Sequence, residues 1–152
     1  MEILFLYIYN LCLSIFFGSS VFIGFIAAPY IFKILKTKNE AGNLVGLLLE
    51  KFASLTYIIQ IILIICGLAL SYSFGYAAGI VILPVFIVII NLISDRIVGL
   101  KMRRLKQNMG NIDNVSKDDK NRLMFNSLHK WSVRLFILNQ LLALPLFYFI
   151  FK

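Results

Sequence analysis

The chain has 152 residues, of which 61% are hydrophobic and 14% charged, with a net charge of +8 and a mean hydropathy of +0.89. An ordinary soluble domain is about 45–50% apolar and about 25% charged, so this composition excludes a disordered chain and points away from a soluble one. What remains is a small polytopic membrane protein.

Residues 3–32 carry no charge. As a helix they span about 45 Å against a hydrocarbon core of about 30 Å, so the first span must tilt or kink. Pro29 supplies a break, because it offers no N–H to the Phe25 carbonyl. Ser20, Gly24 and Ala28 share one face, widened by Gly18 and Ala27. Small residues at that spacing read as a helix-packing face, either inside the bundle or between two copies of the chain. Asn10 and Ser14 lie one turn apart on the same helix, and Cys12 reads as a buried apolar thiol. There is no basic segment before the apolar run, so no cleavable leader is expected.

The next connection holds Lys33, Lys36, Lys38 and Lys51, with Thr37 and Asn39 as alternative helix N-caps. Its part 44–52 either lies at the interface or extends the second helix. Residues 52–94 are again free of charge and too long for one span. They divide into spans at about 53–73 and 79–97, joined at the turn-like stretch 71–79. Gln60 and Cys66 fall on the second helix, with Gly67 and Ser71 as a short small-residue patch. On the third, Pro84 frees the Ile80 carbonyl and Asn91 adds an amide. Such a freed carbonyl takes either an ion or a neighbouring hydroxyl or water. Asp95 and Arg96 close the span and read as a snorkelling pair at the interface.

The connection at about 98–132 starts with the basic cluster Lys101, Arg103, Arg104 and Lys106, where anionic headgroups are attracted by about 1 kcal/mol per charge. A polar loop follows at 107–116. Ser116, with Asp119 three residues on, predicts a helix start at Lys117 that runs unbroken into the fourth span, 133–151. Leu123, Met124, Leu128, Trp131 and Leu135 form an apolar stripe expected to pack on Ile97, Leu100 and Leu105 of the third helix. Pro145, Asn139 and Gln140 mark the fourth span.

The predicted fold is an all-α four-helix transmembrane bundle, a single domain over 1–152; the apolar runs are too continuous for a barrel. Every Lys and Arg except Lys152 falls in the first and third connections or at their edges. The bias of basic residues toward the cytoplasm then puts both termini outside and extends helices three and four into the cytoplasm. A composition rich in Ile, Lys and Asn suits an AT-rich bacterial genome, hence a multi-pass protein of the bacterial cytoplasmic membrane.

Chemistry-bearing patterns are scarce. No ionisable residue lies near a span centre, which disfavours a proton-driven pump. His129 is the sole histidine, so one copy cannot supply two haem ligands or three zinc ligands. There is no Cys-x-x-Cys pair and no glycine-rich phosphate loop. No cofactor, metal or nucleic-acid partner is expected, and the positive charge is accounted for by basic loops on one side of the bilayer. Asp95, Arg96, His129 and Ser132 make the one candidate interfacial polar site.

Gly18, the run Ala27-Ala28-Pro29, Phe32, Ala41-Gly42, Gly46, Arg96 and the stretch from Phe125 to Ser132 together form a pattern. It resembles the domain of unknown function 4149 family and is similar to the transmembrane protein 205-like proteins. Its most distinctive element is Leu128-His129-x-x-Ser132. The resemblance implies a four-helix integral membrane protein with no established biochemical activity. Many members place an Asn shortly after that element; here Phe136 occupies the region and Asn139 follows three residues later.

Three functional readings follow. The first is a non-enzymatic membrane scaffold that binds anionic lipid or a partner through its basic side. The alternative is a transporter or carrier of a small or hydrophobic solute, which requires a cavity holding at least two of Asn10, Gln60, Asn91 and Asn139. The third, an interfacial enzyme or haem handler, requires Asp95, Arg96 and His129 in one pocket.

Overall fold

The computed structural model describes residues 1–149; the end of the expected fourth span and Lys152 lie outside the described residues. Among the described residues there are four long helices and no strand. Helix α1 spans Glu2–Ile34, α2 Lys38–Phe74, α3 Gly79–Met109 and α4 Lys120–Phe149, and each is long and apolar enough to cross a membrane. Each helix packs on the next, and α4 returns to α1, which closes an up-and-down bundle.

The helices are apolar on more than one face. In α2, Ile59, Leu63, Cys66 and Leu70 are buried, while Ile58, Ile61, Ile65 and Leu68 are exposed. Both sets recur at three- and four-residue steps. The first set packs on the other helices, and the second suits lipid. This double stripe makes the bundle a multi-pass membrane protein in character.

Local signals set the helix ends. Thr37 Oγ1 accepts a hydrogen bond from the Glu40 N–H at 3.2 Å, so Thr37 and not Asn39 caps α2, and residues 44–52 extend that helix. The Asn39 N–H donates instead to Asp113 Oδ2 at 3.0 Å, which ties the loop after α3 to the first turn of α2. Gly75 ends α2 in the left-handed region, at φ 71°, and the Tyr76 N–H donates to the Leu70 carbonyl at 3.3 Å. Tyr76 Oη donates to Glu2 Oε1 at 3.0 Å; burial first, and the neighbouring carboxylate second, push this phenol above its ordinary pKa.

Two expectations for α4 need correction. The helix starts at Lys120, later than Lys117, because Asp119 and not Ser116 caps it. Asp119 Oδ1 accepts from the N–H groups of Asn121 at 2.8 Å and Arg122 at 3.1 Å, and one carboxylate oxygen thereby satisfies two end donors. The inward face also differs. Leu123, Met124 and Trp131 are exposed, as are Ile97 and Leu100 of α3, and the half-buried positions of this stretch are instead Phe125, Leu128, Ser132 and Leu135. Leu128 and Leu135 belong to both stripes, so periodicity alone could not choose between them.

Helices α1 and α3 each contain a π-helical stretch, Phe22–Ala27 and Ser94–Gly99. The Ala28 N–H reaches back to the Ile23 carbonyl, and the Leu100 N–H reaches back to that of Asp95, both i to i−5 bonds. The helices therefore run on past these points, and α1 passes Pro29 without ending.

The core occupies one half of the bundle, away from the basic connections. Tyr9, Leu13 and Phe16 of α1 meet Leu63 and Leu70 of α2, Ile80 and Ile87 of α3, and Ala143 and Leu146 of α4. Pro84 leaves the Ile80 carbonyl without its helical donor. Tyr9 Oη of α1, fully buried, donates to that carbonyl at 2.8 Å. Of the two fates open to the freed carbonyl, the structure shows the neighbouring hydroxyl. Helix α2 presses on the same atom, since a Cβ built on Gly67 would lie 2.7 Å from the Ile80 oxygen.

Gly67→Ala is therefore expected to cost about 1–3 kcal/mol by overpacking against backbone, seen as a lower melting temperature in detergent. Tyr9→Phe is expected to cost about 1–3 kcal/mol by orphaning a buried carbonyl. Gly18→Ala, where a Cβ meets nothing within 4 Å, is the matched control and should not lower the melting temperature. If all three variants melt like the parent, this lock is not what holds the packed half.

Candidate functional site

The other half of the bundle holds a partly open cavity of about 440 Å³, lined by residues from all four helices. Helix α1 contributes Phe16, Ser20, Gly24, Ala28 and Phe32, and α2 contributes Val45, Phe52, Ala53 and Thr56. Helix α3 contributes Asn91, Ser94, Asp95 and Met102, and α4 contributes His129, Ser132, Phe136, Asn139 and Gln140. The two π-helical stretches contribute to opposite walls of this space through Gly24 and Asp95. Such stretches are frequent at functional sites.

The face formed by Ser20, Gly24 and Ala28 thus borders a cavity along its length. The close approach on it is made by a side chain: a Cβ on Gly24 would lie 2.6 Å from the Phe136 ring. Phe136 also meets Phe25, ring centroids 6.3 Å apart.

The polar groups gather toward the packed half and on the α3 wall. Asn139 Nδ2 donates to Asn91 Oδ1 at 2.6 Å. Asn139 and Gln140 are only 3% and 8% exposed, and neither Asn139 Oδ1 nor Gln140 Oε1 has a partner. Ser20 Oγ and Thr56 Oγ1 are turned back onto their own helices, donating to the carbonyls of Phe16 at 2.7 Å and Ala53 at 2.8 Å. One turn beyond Thr56, Gln60 is 1% exposed with neither amide atom partnered. Asn10 bonds the Leu6 carbonyl of its own helix and takes no part in the site.

Asp95 is half-buried and accepts a hydrogen bond from Tyr57 Oη at 2.7 Å. Arg96, which the interfacial-site reading places in one pocket with Asp95 and His129, makes no ion pair with Asp95. Consecutive residues on a helix do not face each other, and Arg96 points outward, exposed and off the cavity lining. Among the described residues the ion pair formed is Arg103 with Glu50, 3.9 Å apart and exposed on both sides. So Asp95, His129 and Ser132 line one cavity, with His129 exposed and no hydrogen bond among the three, and Arg96 is left out. No group of three His, Cys, Asp or Glu side chains suited to a metal ion occurs among the described residues. Tyr57 and Thr56 carry no signal in the sequence that sets them apart from other residues of a membrane helix.

The basic cluster is divided. Lys101, Arg103 and Arg104 are exposed, whereas Lys106 is half-buried against α2, where a Cβ on Gly42 would lie 3.4 Å from Nζ. Burial lowers the pKa of that ammonium. Arg103 and Lys106 share an open cleft of about 350 Å³ with Asn39, Asn43 and Gln107; Lys101 and Arg104 lie outside it.

Gly24→Leu is expected to displace Phe136 and destabilise the bundle by about 1–3 kcal/mol. Adding Phe136→Ala should restore much of that loss, because the two positions compete for one space. Thermal melts of both single variants and the double variant measure this coupling, and strict additivity would mean that the ring does not fill the space at Gly24.

A family described as "Domain of unknown function (DUF4149)" matches residues 11–111. No curated protein and no solved structure matches the chain. The match covers α3 and most of α1, all of α2 and the cavity residues on them, and it ends before the Leu128-His129-x-x-Ser132 element of α4. With two thirds of its length so matched, this four-helix chain belongs to the domain of unknown function 4149 family.

Proposed function

We propose that the protein is a membrane carrier that holds a small amphipathic solute between its four helices. The observation that carries this reading is a cavity with largely apolar walls whose lining residues Asn139 and Gln140 each hold a buried amide oxygen without a partner. Buried polar atoms are nearly always hydrogen-bonded, so each of these oxygens calls for a donor that the protein does not supply, from a water or from a ligand. The volume of about 440 Å³ falls in the range of about 300–1,000 Å³ typical of small-molecule sites. Asn91 and Asn139 both belong to its lining, which supports the carrier reading. The distribution of Lys and Arg supports placing the cavity half toward the cytoplasm, with both termini outside, in a bacterial cytoplasmic membrane.

The test is native mass spectrometry of the gently purified chain, with an absorption spectrum of the same sample. A discrete bound molecule is expected, and Ala53→Trp, which puts an indole into the cavity, should remove it without unfolding the protein. A parent protein that carries no such molecule, and acquires none from a lipid extract, would speak against a carrier.

A second reading rests on the cleft holding Arg103 and Lys106 beside two Asn side chains. Here the basic end docks on anionic headgroups and the protein acts as a scaffold. Replacing Lys101, Arg103, Arg104 and Lys106 together by Gln should weaken association with anionic liposomes by about 1 kcal/mol per charge removed. Unchanged association would rule this reading out.

A further inference from the structure

Resting on the carrier reading, the geometry points to a ligand that is a lipophilic cation, an amine or ammonium on an apolar body, with Asp95 as its counter-charge. The charge on the cavity wall carries the first part. The chain has a net charge of +8, yet among the described residues no Lys or Arg lines the cavity, and its titratable lining residues are Asp95, the one acid, and His129. A carboxylate on a largely apolar wall favours a positive guest. Tyr57 holds one oxygen of that carboxylate, Oδ2, at 2.7 Å. No donor among the described residues bonds Oδ1, so it is left for the guest.

The census of donors and acceptors carries the second part. The Ser20 and Thr56 hydroxyls and one Asn139 amide N–H are given to protein acceptors, while Ser94, Ser132, His129 and the Asn91 amide N–H on the lining make no such bond among the described residues. Two buried acceptors, Asn139 Oδ1 and Gln140 Oε1, are left over just behind the cavity surface, where a guest meets them once the amides turn toward it. A guest that satisfies them must bring N–H or O–H groups, and an ammonium brings several donors with no acceptor. The third part is the wall: Phe16, Phe52 and Phe136 offer aromatic surface to an apolar body and to a cation alike. A carboxylate guest would meet Asp95 with like charge, although the protein as a whole would attract it.

Three probes of equal chain length separate these terms: decylamine, decanol and decanoate, each titrated into the full-length protein in a neutral detergent and read by native mass spectrometry. Decylamine is expected to bind as a single molecule about tenfold or more tighter than either of the others. Asp95→Asn should bring the amine close to the alcohol and leave the alcohol unchanged. Decyltrimethylammonium, which keeps the charge but has no N–H, should fall between amine and alcohol. Equal binding of amine and alcohol, lost together in Ala53→Trp, would overturn the cation assignment and keep the cavity. Tighter binding of decanoate would also overturn it and would show that the amide pair presents donors. Binding of none of the probes would overturn the carrier reading and this inference with it.

Discussion

In hydrocarbon there is no water to satisfy a stray carbonyl, and the structure depends on how one such carbonyl is dealt with. Pro84 removes the donor that Ile80 of α3 would otherwise use. The hydroxyl of Tyr9 replaces it from α1, and Gly67 lets α2 settle against the same oxygen. Three helices are thus referred to one atom. The buried side chains Leu13, Leu63, Leu70, Ile87 and Leu146 collect around this point, and α4 joins through Ala143 and Leu146.

A bundle fixed at one end has freedom at the other. There the lining of α1 and α2 includes the small residues Ser20, Gly24, Ala28 and Ala53 among larger ones, and the Phe136 ring takes up the space at Gly24. The walls remain far enough apart to leave a cavity, and polar atoms that a dry core would exclude survive on its surface. Asn91, Asn139, Gln140 and Asp95 lie in this half, and their side chains converge from α3 and α4. The π-helical stretches in α1 and α3 fall at the same level, where an extra residue per turn lets a helix pass without losing its hydrogen bonds.

Some of the site was readable from the residues themselves. The amides Asn91 and Asn139 stand out in apolar runs, and so does Asp95 at the end of one. That Asn139 bonds Asn91 across two helices was not readable, nor that Asn10, equally conspicuous, turns back to its own Leu6 carbonyl. Asp95 and Arg96 read as two side chains snorkelling at the interface; on a helix, adjacency in sequence separates side chains, and only Asp95 lines the cavity, bonded to Tyr57 of α2. The start of α4 shows the same difficulty at short range, where Ser116 and Asp119 both suit a cap and the loop geometry gives the role to Asp119.

Helix number and class follow from the chain's letters because a backbone in lipid must satisfy its N–H and C=O groups within each segment, and a long apolar run has one way to do so. The prolines, Thr37 and Gly75 act within a turn of themselves, so their effects are local as well. Which faces meet is another matter. Helices that are apolar all round carry no amphipathic signal to say which stripe packs and which meets lipid. The cavity, the Asn91–Asn139 bond and the exclusion of Arg96 all rest on that choice of faces, which is settled by packing among all four helices at once.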